Sequence, residues 1–450
     1  MVTQTLSSYI TASSYEKIGE KAIYEAKRSL LNWLGVAIGG SQHESVKKVL
    51  AVSQVIGSSP QASVLGRTEK VDMLFAALLN GLSSHVDDFD DTLLETVLHP
   101  SAPVYPAVLS FAEYQKKSGK DVLEAFIVGT EAAARVALSV YPSHYWKGWH
   151  ITGSVGGIGA AAAISTMMRL NVEETLFAIG IAATDPTGLR EMFGTMTKPY
   201  HPGKAAMNGM LAALMAAQGF TSSTKSLEAE RGFVKALSNE ESFEMITKKW
   251  GETYEIEKNS YKPFASGVVT HPAIDGIISI QKKYQLLPQQ VEWIEITGHP
   301  LVEELTGKKI ITTGLEGKFS VYHCVAAAFF QLKAGIHEFT DDCVNDSCIK
   351  GLREKVRLVI NETYREDQAQ VKVKLYDGRE YIHTVDHAIG SQQNPMTDQQ
   401  LQDKFIDVTG SIINTEKKRR LIDLIAHLDE VDDLAEFFAL CCPVFTENHS

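Results

Sequence analysis

From residue 15 to about 245, apolar residues recur at spacings of three and four, the period of a helix that buries one face. YEKIGEKAIYEAKRSLLNWLGVAIGG, VDMLFAALLNGL, AVLSFAEYQKKSG, VLEAFIVGTEAAARVALSVY and AAMNGMLAALMAAQGF all carry this pattern, and many end in glycine, the usual helix stop. No strand pattern interrupts them, so an all-helical domain is predicted. After residue 270 the pattern becomes alternation. VEWIEITG, VRLVINETY and QVKVKLYDGREYIHTVD read as strands, with the Asp-Gly pair of YDGRE as a hairpin turn. Helical segments, FSVYHCVAAAFFQLKAG and CVNDSCIKGLREK, lie between the first two strands, which predicts a smaller α+β domain. Beyond Pro395 the chain returns to helix and is expected to pack back on the first domain. The predicted division is therefore 1–265 with 396–450 for the large helical domain and 266–395 for the small one.

With 450 residues and 44% hydrophobic content, the chain can bury a core large enough for two domains. A formal charge of -12 and no Lys/Arg stripe exclude a nucleic-acid footprint, so an anionic ligand must be met by locally placed cations. The longest apolar stretch, GSVGGIGAAAAIS, is rich in Gly and Ala and reads as too short to span a bilayer. The start, MVTQTLSSYITAS, lacks a leader pattern, and a cytoplasmic location with no membrane partner is expected. Five cysteines without paired spacing, Cys324, Cys343, Cys348, Cys441 and Cys442, read as reduced and structural.

Chemistry concentrates in HVDDFDDTLLETVLHPSAPVYP, where Asp87, Asp88, Asp90 and Asp91 precede Thr92 and His99. A helix continuing to Thr92 would stack Asp88 with Asp91 and Thr92, and Asp87 with Asp90 and Asp91. Carboxylates that close must be solvated, paired with cations, bound to metal or partly protonated. A solvated acidic turn is the ordinary outcome for such a run, but apolar flanks on both sides favour a functional site. GWHITGSVGGIGAAAA does not match a phosphate-binding glycine pattern; its small residues let helices approach closely beside His150. TDPTGLREMFGTMTKPYHPGKAAMNG reads as a Gly- and Pro-rich loop carrying Arg190, Lys198, His201 and Lys204, either a solvated basic loop or a clamp for a carboxylate. YKPFASGVVTHPAIDG adds Lys262 and His271 at the predicted domain junction. KFSVYHCVAAA offers Tyr322 and His323 on an apolar helix, where a core aromatic is the commoner role.

No HExxH, paired CxxC, GxSxG or dinucleotide signature is present. The remaining inventory of Asp, His, Lys, Thr and Tyr suits removal and return of a proton next to a carbonyl or carboxylate. Two rivals share the same residues. Asp87, Asp88 and Asp91 spell DDxxD, as in a Mg²⁺-dependent prenyl-chain enzyme, for which Asp432, Asp433 and Glu436 are the only comparable second run. A non-catalytic carboxylate-binding scaffold is the other.

Taken in order, DDFDDT, HPSAPVYPAVL, GWHITGSVGGIGAAAA, GTMTKPYHPGKAAMNG, YKPFASGVVTHPAIDG and KFSVYHCVAAA resemble the MmgE/PrpD family over nearly the whole chain. That family includes 2-methylcitrate dehydratase, cis-aconitate decarboxylase and iminodisuccinate epimerase, which act on small polycarboxylates without metal or organic cofactor. The resemblance implies a large helical domain completed by the C-terminal helices, a smaller α+β lid, an active site between them and a homodimer. Carried over from the decarboxylase branch, the catalytic set is Asp88, Thr92, His99, Lys198 and Lys262. The Thr92 to His99 loop is one residue longer than in the vertebrate decarboxylase pattern, and His323 stands before Cys324 where that branch has Tyr. The dehydratase branch shows LDFNDTW and WGHPSDN where this chain has VDDFDDTL and VLHPSAP.

A mechanism consistent with these residues has Lys198 and Lys262, with Arg190 or Lys204, fixing carboxylates and stabilising enediolate-like charge. His99 or Asp88 exchanges protons, Asp88 with its pKa raised by neighbouring carboxylates. Thr92 orients the substrate, His150 and His323 are candidates for a second acid, and His271 and Tyr322 complete the substrate-binding set. Dehydration, decarboxylation and epimerisation all remain open.

Overall fold

The periodic segments form the expected elements, and side-chain caps mark the starts of two of the helices that carry the first unit. The computed structural model describes residues 1–443, so the helical domain expected to reach residue 450 is followed only that far. The described chain forms two compact units. One comprises Met1–Val86, Asp90–Asn259 and the chain from Asp398; the other comprises Asp87–Phe89 and Ser260–Thr397.

The first unit is built on α1 (Glu20–Gly40), α2 (Met73–His85), α3 (Ser101–Gln115), α4 (Gly119–Val140), α5 (Ile151–Met168) and α6 (Thr197–Ala217). Asp72 caps α2 by accepting from the Leu74 and Phe75 amides, and a Ser118/Asp121 capping box opens α4. Tyr105 of α3 sits at the centre of the core, stacked on Phe126 with ring centroids 3.6 Å apart and donating its hydroxyl to the Ala26 carbonyl at 2.6 Å.

Small residues permit backbone-to-backbone packing around the helices that carry the candidate site. A Cβ on Gly81 of α2 would lie 2.6 Å from the Gly203 Cα of α6, and one on Gly153 of α5 would lie 2.5 Å from the Thr187 carbonyl oxygen. Against the sequence reading, α5 is long and apolar enough by composition to cross a membrane, with a mean hydropathy of 1.3 over 18 residues; 94% of it is buried inside the protein.

Two further expectations are corrected in this unit. A two-residue antiparallel ladder, Ala62–Ser63 with Lys70–Val71, interrupts the helices. It is too short for alternation to register, and Asn80 holds it by accepting from the Leu65 amide and donating to the Ser63 carbonyl. The predicted loop of residues 184–209 is helical from Thr197 onward, despite Pro199 and Pro202. Pro199 falls in the first turn, where no amide hydrogen is needed, and close packing of Gly203 on the α2 backbone offsets the bond that Pro202 removes.

In the second unit, a four-stranded sheet is formed by β1 (Val291–Gly298), β2 (Val356–Ile360), β3 (Ala369–Leu375) and β4 (Glu380–Val385), in the order β2-β1-β3-β4. β1 runs parallel to β2, so the helical crossover predicted between them is a geometric necessity. The β3–β4 hairpin turns at Gly378, whose φ of 93° only glycine adopts cheaply. Helix α7 (His271–Tyr284) lays Gly276 on Val371 of β3, and α8 (Val321–Gln331) packs on α7. The chain then returns to the first unit as α9 (Asp398–Val408) and α10 (Thr415–Ala426). Phe405 and Val408 of α9 seat over Gly35 and Gly39 of α1, and buried Lys404 donates to Asn32 at 2.8 Å. The fold is a mainly helical unit plus an α+β unit.

Candidate active site

Helix α2 stops at His85 rather than continuing to Thr92. Asp88 has a φ of 52°, in the left-handed region that aspartate enters more readily than most non-glycine residues. Breaking the helix lets each carboxylate find its own partner in place of the stacked like charges that a helix would force. Asp90 and Asp91 belong to the first unit, Asp87 and Asp88 to the second.

In the first unit, Asp90 is wholly buried and accepts from His85 Nδ1 at 2.8 Å, with His99 Nδ1 approaching its other oxygen at 3.4 Å. His99 Nδ1 is also 2.7 Å from the Asp91 carbonyl and 3.2 Å from Thr92 Oγ1, while the His99 amide donates to Thr152 Oγ1 of α5. Asp91 accepts from the Ser101 hydroxyl and from Asn259 Nδ2, which ties the start of α3 to the acidic run. Burial pushes the Asp91 carboxyl up to about 6. Burial alone would raise Asp90 as well, but the His85 and His99 imidazoles hold it well below the usual carboxylate range.

Four further groups complete this cluster. His150, at the N-terminus of α5, stacks on His85 with centroids 5.6 Å apart, and its Nδ1 lies 3.0 Å from Nδ1 of His201 on α6. Phe193 sets its edge against His150, and Lys198 Nζ lies over Phe193 at 5.3 Å. Burial, with Lys198 as a nearby positive charge, depresses the imidazoles: His201 to about 4, His85 to about 4 against the attraction of Asp90, and His150 well below its ordinary value. The result is neutral imidazoles around a buried lysine, a setting that favours an anion and can donate or accept protons. Sequence reasoning named Asp90 within the acidic run but gave it no role, and it did not single out His85 or Phe193. His85 lies four residues before Phe89 in a segment that reads as plain helix, and nothing local marks it.

In the second unit, Lys262 Nζ lies 3.1 Å from Asp88 Oδ2 and donates to the Asp88 carbonyl at 2.9 Å. Asp88 is thus paired with an ammonium group of the same unit. Lys318, which the sequence reading passed over, pairs with Asp87 Oδ1 at 3.2 Å and donates to the Asp87 carbonyl. His271 is buried edge-on to Phe264, with Nε2 3.3 Å from the Ser266 carbonyl. His323 donates from Nε2 to the Glu338 carbonyl at 2.9 Å, and burial takes it down to about 4, so it ties α8 to the 336–339 turn. Tyr322 is buried with Lys309 over its ring.

Of the other predicted residues, Arg190 stacks on the Tyr145 ring at 3.8 Å and donates to the Tyr145 carbonyl. Lys204 is half-buried one turn beyond His201 on α6. The DDxxD reading fails on geometry, because Asp87, Asp88 and Asp91 do not share a helix face and each is held by protein groups. Asp432, Asp433 and Glu436 are exposed, with Glu436 paired to Arg420. His85, Asp90 and His99 offer three ligand atoms within 4.8 Å of one another. The Nδ1 atoms of both histidines are engaged as hydrogen-bond donors to protein acceptors, which fixes the tautomer of each ring.

The MmgE/PrpD N-terminal domain model matches residues 4–246 and the MmgE/PrpD C-terminal domain model residues 264–430. Cis-aconitate decarboxylase of Mus musculus is 24% identical over 450 residues, covering 96% of this chain and 91% of that protein. The Homo sapiens enzyme is 25% identical, covering 96% and 93%, and that of Aspergillus terreus (strain NIH 2624 / FGSC A1156) 24% identical, covering 98% and 96%. With both domain models matched in order along most of its length, the chain belongs to the MmgE/PrpD family.

Proposed function

We propose that the protein is a cofactor-independent lyase acting on a small di- or tricarboxylate, with decarboxylation of the cis-aconitate type as the first candidate reaction. The observation that carries this reading is the buried cluster of His85, His99, His150 and His201 with Lys198, set beside an ionised Asp90. Loss of carbon dioxide breaks a carbon–carbon bond and leaves its electron pair on carbon as an enediolate-type anion. Lys198 stabilises that charge, and a protonated imidazole delivers the proton that completes the product. The same groups serve dehydration, in which an imidazole takes the proton next to the carboxylate and an acid protonates the departing hydroxide. Epimerisation, in which the proton returns on the opposite face, is the second choice.

The proposed catalytic set is Asp88, Thr92, His99, Lys198 and Lys262, with His150, Arg190, Lys204, His271, Tyr322 and His323 in substrate binding. It is supported by the family motifs and by decarboxylase relatives that align over 96–98% of the chain. A homodimer and a cytoplasmic location belong to the same proposal. The test is proton NMR in D₂O with cis-aconitate, 2-methylcitrate, itaconate, citrate, malate and iminodisuccinate, without added metal. Turnover or deuterium entry with one of them is the expected result; inertness towards the panel, with no ligand-induced thermal shift, overturns the reading.

A further inference from the structure

Asp90 lies in the acidic run but outside the catalytic set carried over above, and it is wholly buried. Its side chain has no exposure, as is also true of its partner His85. A carboxylate so placed needs donors, and it has one aligned donor, His85 Nδ1 at 2.8 Å. Its second oxygen has no aligned hydrogen bond and is instead approached by His99 Nδ1 at 3.4 Å. The His99 Nδ1 proton is directed to the Asp91 carbonyl at 2.7 Å, so Nε2 is the nitrogen left to exchange a proton. His99 retains a tenth of its side-chain exposure, in contrast to His85 and Asp90.

We propose that Asp90 is the positioning residue for proton transfer: it holds the counter-charge for His99 when Nε2 is protonated, and His85 holds Asp90 in place. This deepens the lyase reading and rests on it. The geometry is that of a base oriented by a buried carboxylate, with a second imidazole as the outer support. His85 Nε2, which has no partner among the described residues, is kept deprotonated because its Nδ1 proton is committed to Asp90. The titratable groups facing this pair are His85, Asp91, His150 and Lys198; none of them is a second anion within hydrogen-bond reach of His99 Nδ1. Removing Asp90 therefore removes the ionised carboxylate that approaches His99 Nδ1 at 3.4 Å.

The test has two parts. In the unaltered protein labelled with ¹⁵N-histidine, two-bond ¹H–¹⁵N correlations, assigned with His85→Gln and His99→Gln, are expected to show both rings protonated at Nδ1. An Nε2–H tautomer at His99 overturns the proposal whether or not a substrate has been found. Asp90→Asn is then expected to lower kcat by about 10²-fold with little change in KM, and to move the His99-governed limb of the pH–rate profile down by about one unit. A drop in kcat with that limb unmoved would make Asp90 merely structural. Inertness of the unaltered protein towards every polycarboxylate would sink the lyase reading and leave the tautomer result to judge Asp90.

Discussion

His150 Nδ1 and His201 Nδ1 face each other at 3.0 Å, so the two rings share a single proton between them. One must donate and the other accept, and both are buried. His201→Leu removes the partner and leaves a buried nitrogen unpaired; turnover is expected to fall at least about tenfold. His201→Asn, which can still hydrogen-bond there, is expected to keep most of it. Steady-state kinetics on the two variants check this, and equal losses would make the contact incidental.

Lys198 should be dispensable for folding and indispensable for turnover. Lys198→Met is expected to leave the circular dichroism spectrum intact and lower kcat by about 10²-fold or more, the effect of losing a group that stabilises developing negative charge. Activity should also survive EDTA. Loss of activity on chelation would return a metal to the mechanism.

The second unit is expected to depend on Lys318. Its side chain is 3% exposed and that of its partner Asp87 12% exposed, so Lys318→Met strands a mostly buried carboxylate. A loss of about 3 kcal/mol is expected in urea unfolding, with much of it recovered in the Asp87→Asn/Lys318→Met double variant. Additive losses would mean that the two residues do not interact energetically.

Stability should fall as the solution is acidified from pH 6.5 towards 4. His85, His144, His201 and His323 are each held at about 4 in the folded protein, chiefly by burial, against 6.5 when unfolded. Between those limits the unfolded chain binds protons that the folded one refuses, which favours unfolding. Asp91 and Glu131, raised to about 6 and about 7, act in the opposite sense, since their folded forms retain protons that the unfolded chain releases. Four imidazoles outweigh two carboxyls, so Tm should rise with pH across this window; a flat or inverted profile contradicts the burial of the cluster.

Gly153→Ala places a methyl group 2.5 Å from the Thr187 carbonyl, a backbone atom that cannot swing aside. The adjacent Gly188 carbonyl accepts from the His150 amide at 3.1 Å, so displacement of this loop reaches the cluster. A cost of about 1–3 kcal/mol is expected together with a raised KM. Destabilisation without a kinetic effect would separate the loop from the site.

Helices, sheet strands and the Asp-Gly hairpin were legible in the sequence because each is dictated by side-chain periodicity or turn chemistry within a few residues. The types of residue that carry chemistry were legible too, since an acidic run between apolar flanks and lysines beside prolines stand out locally. The pairing of those residues was not. Lys262 reaches Asp88 across 174 positions and Lys318 reaches Asp87 across 231, and nothing near either lysine specifies its partner. The same holds for the stop of α2 at His85, the helix through Pro199 and Pro202, and the grouping of His85, His99, His150 and His201. Those depend on which charges become buried together and on where small residues let helices touch. The sequence by itself determined the elements and the chemical inventory; only the tertiary structure decided which carboxylate meets which cation, because desolvation and ion pairing are set by neighbours in space.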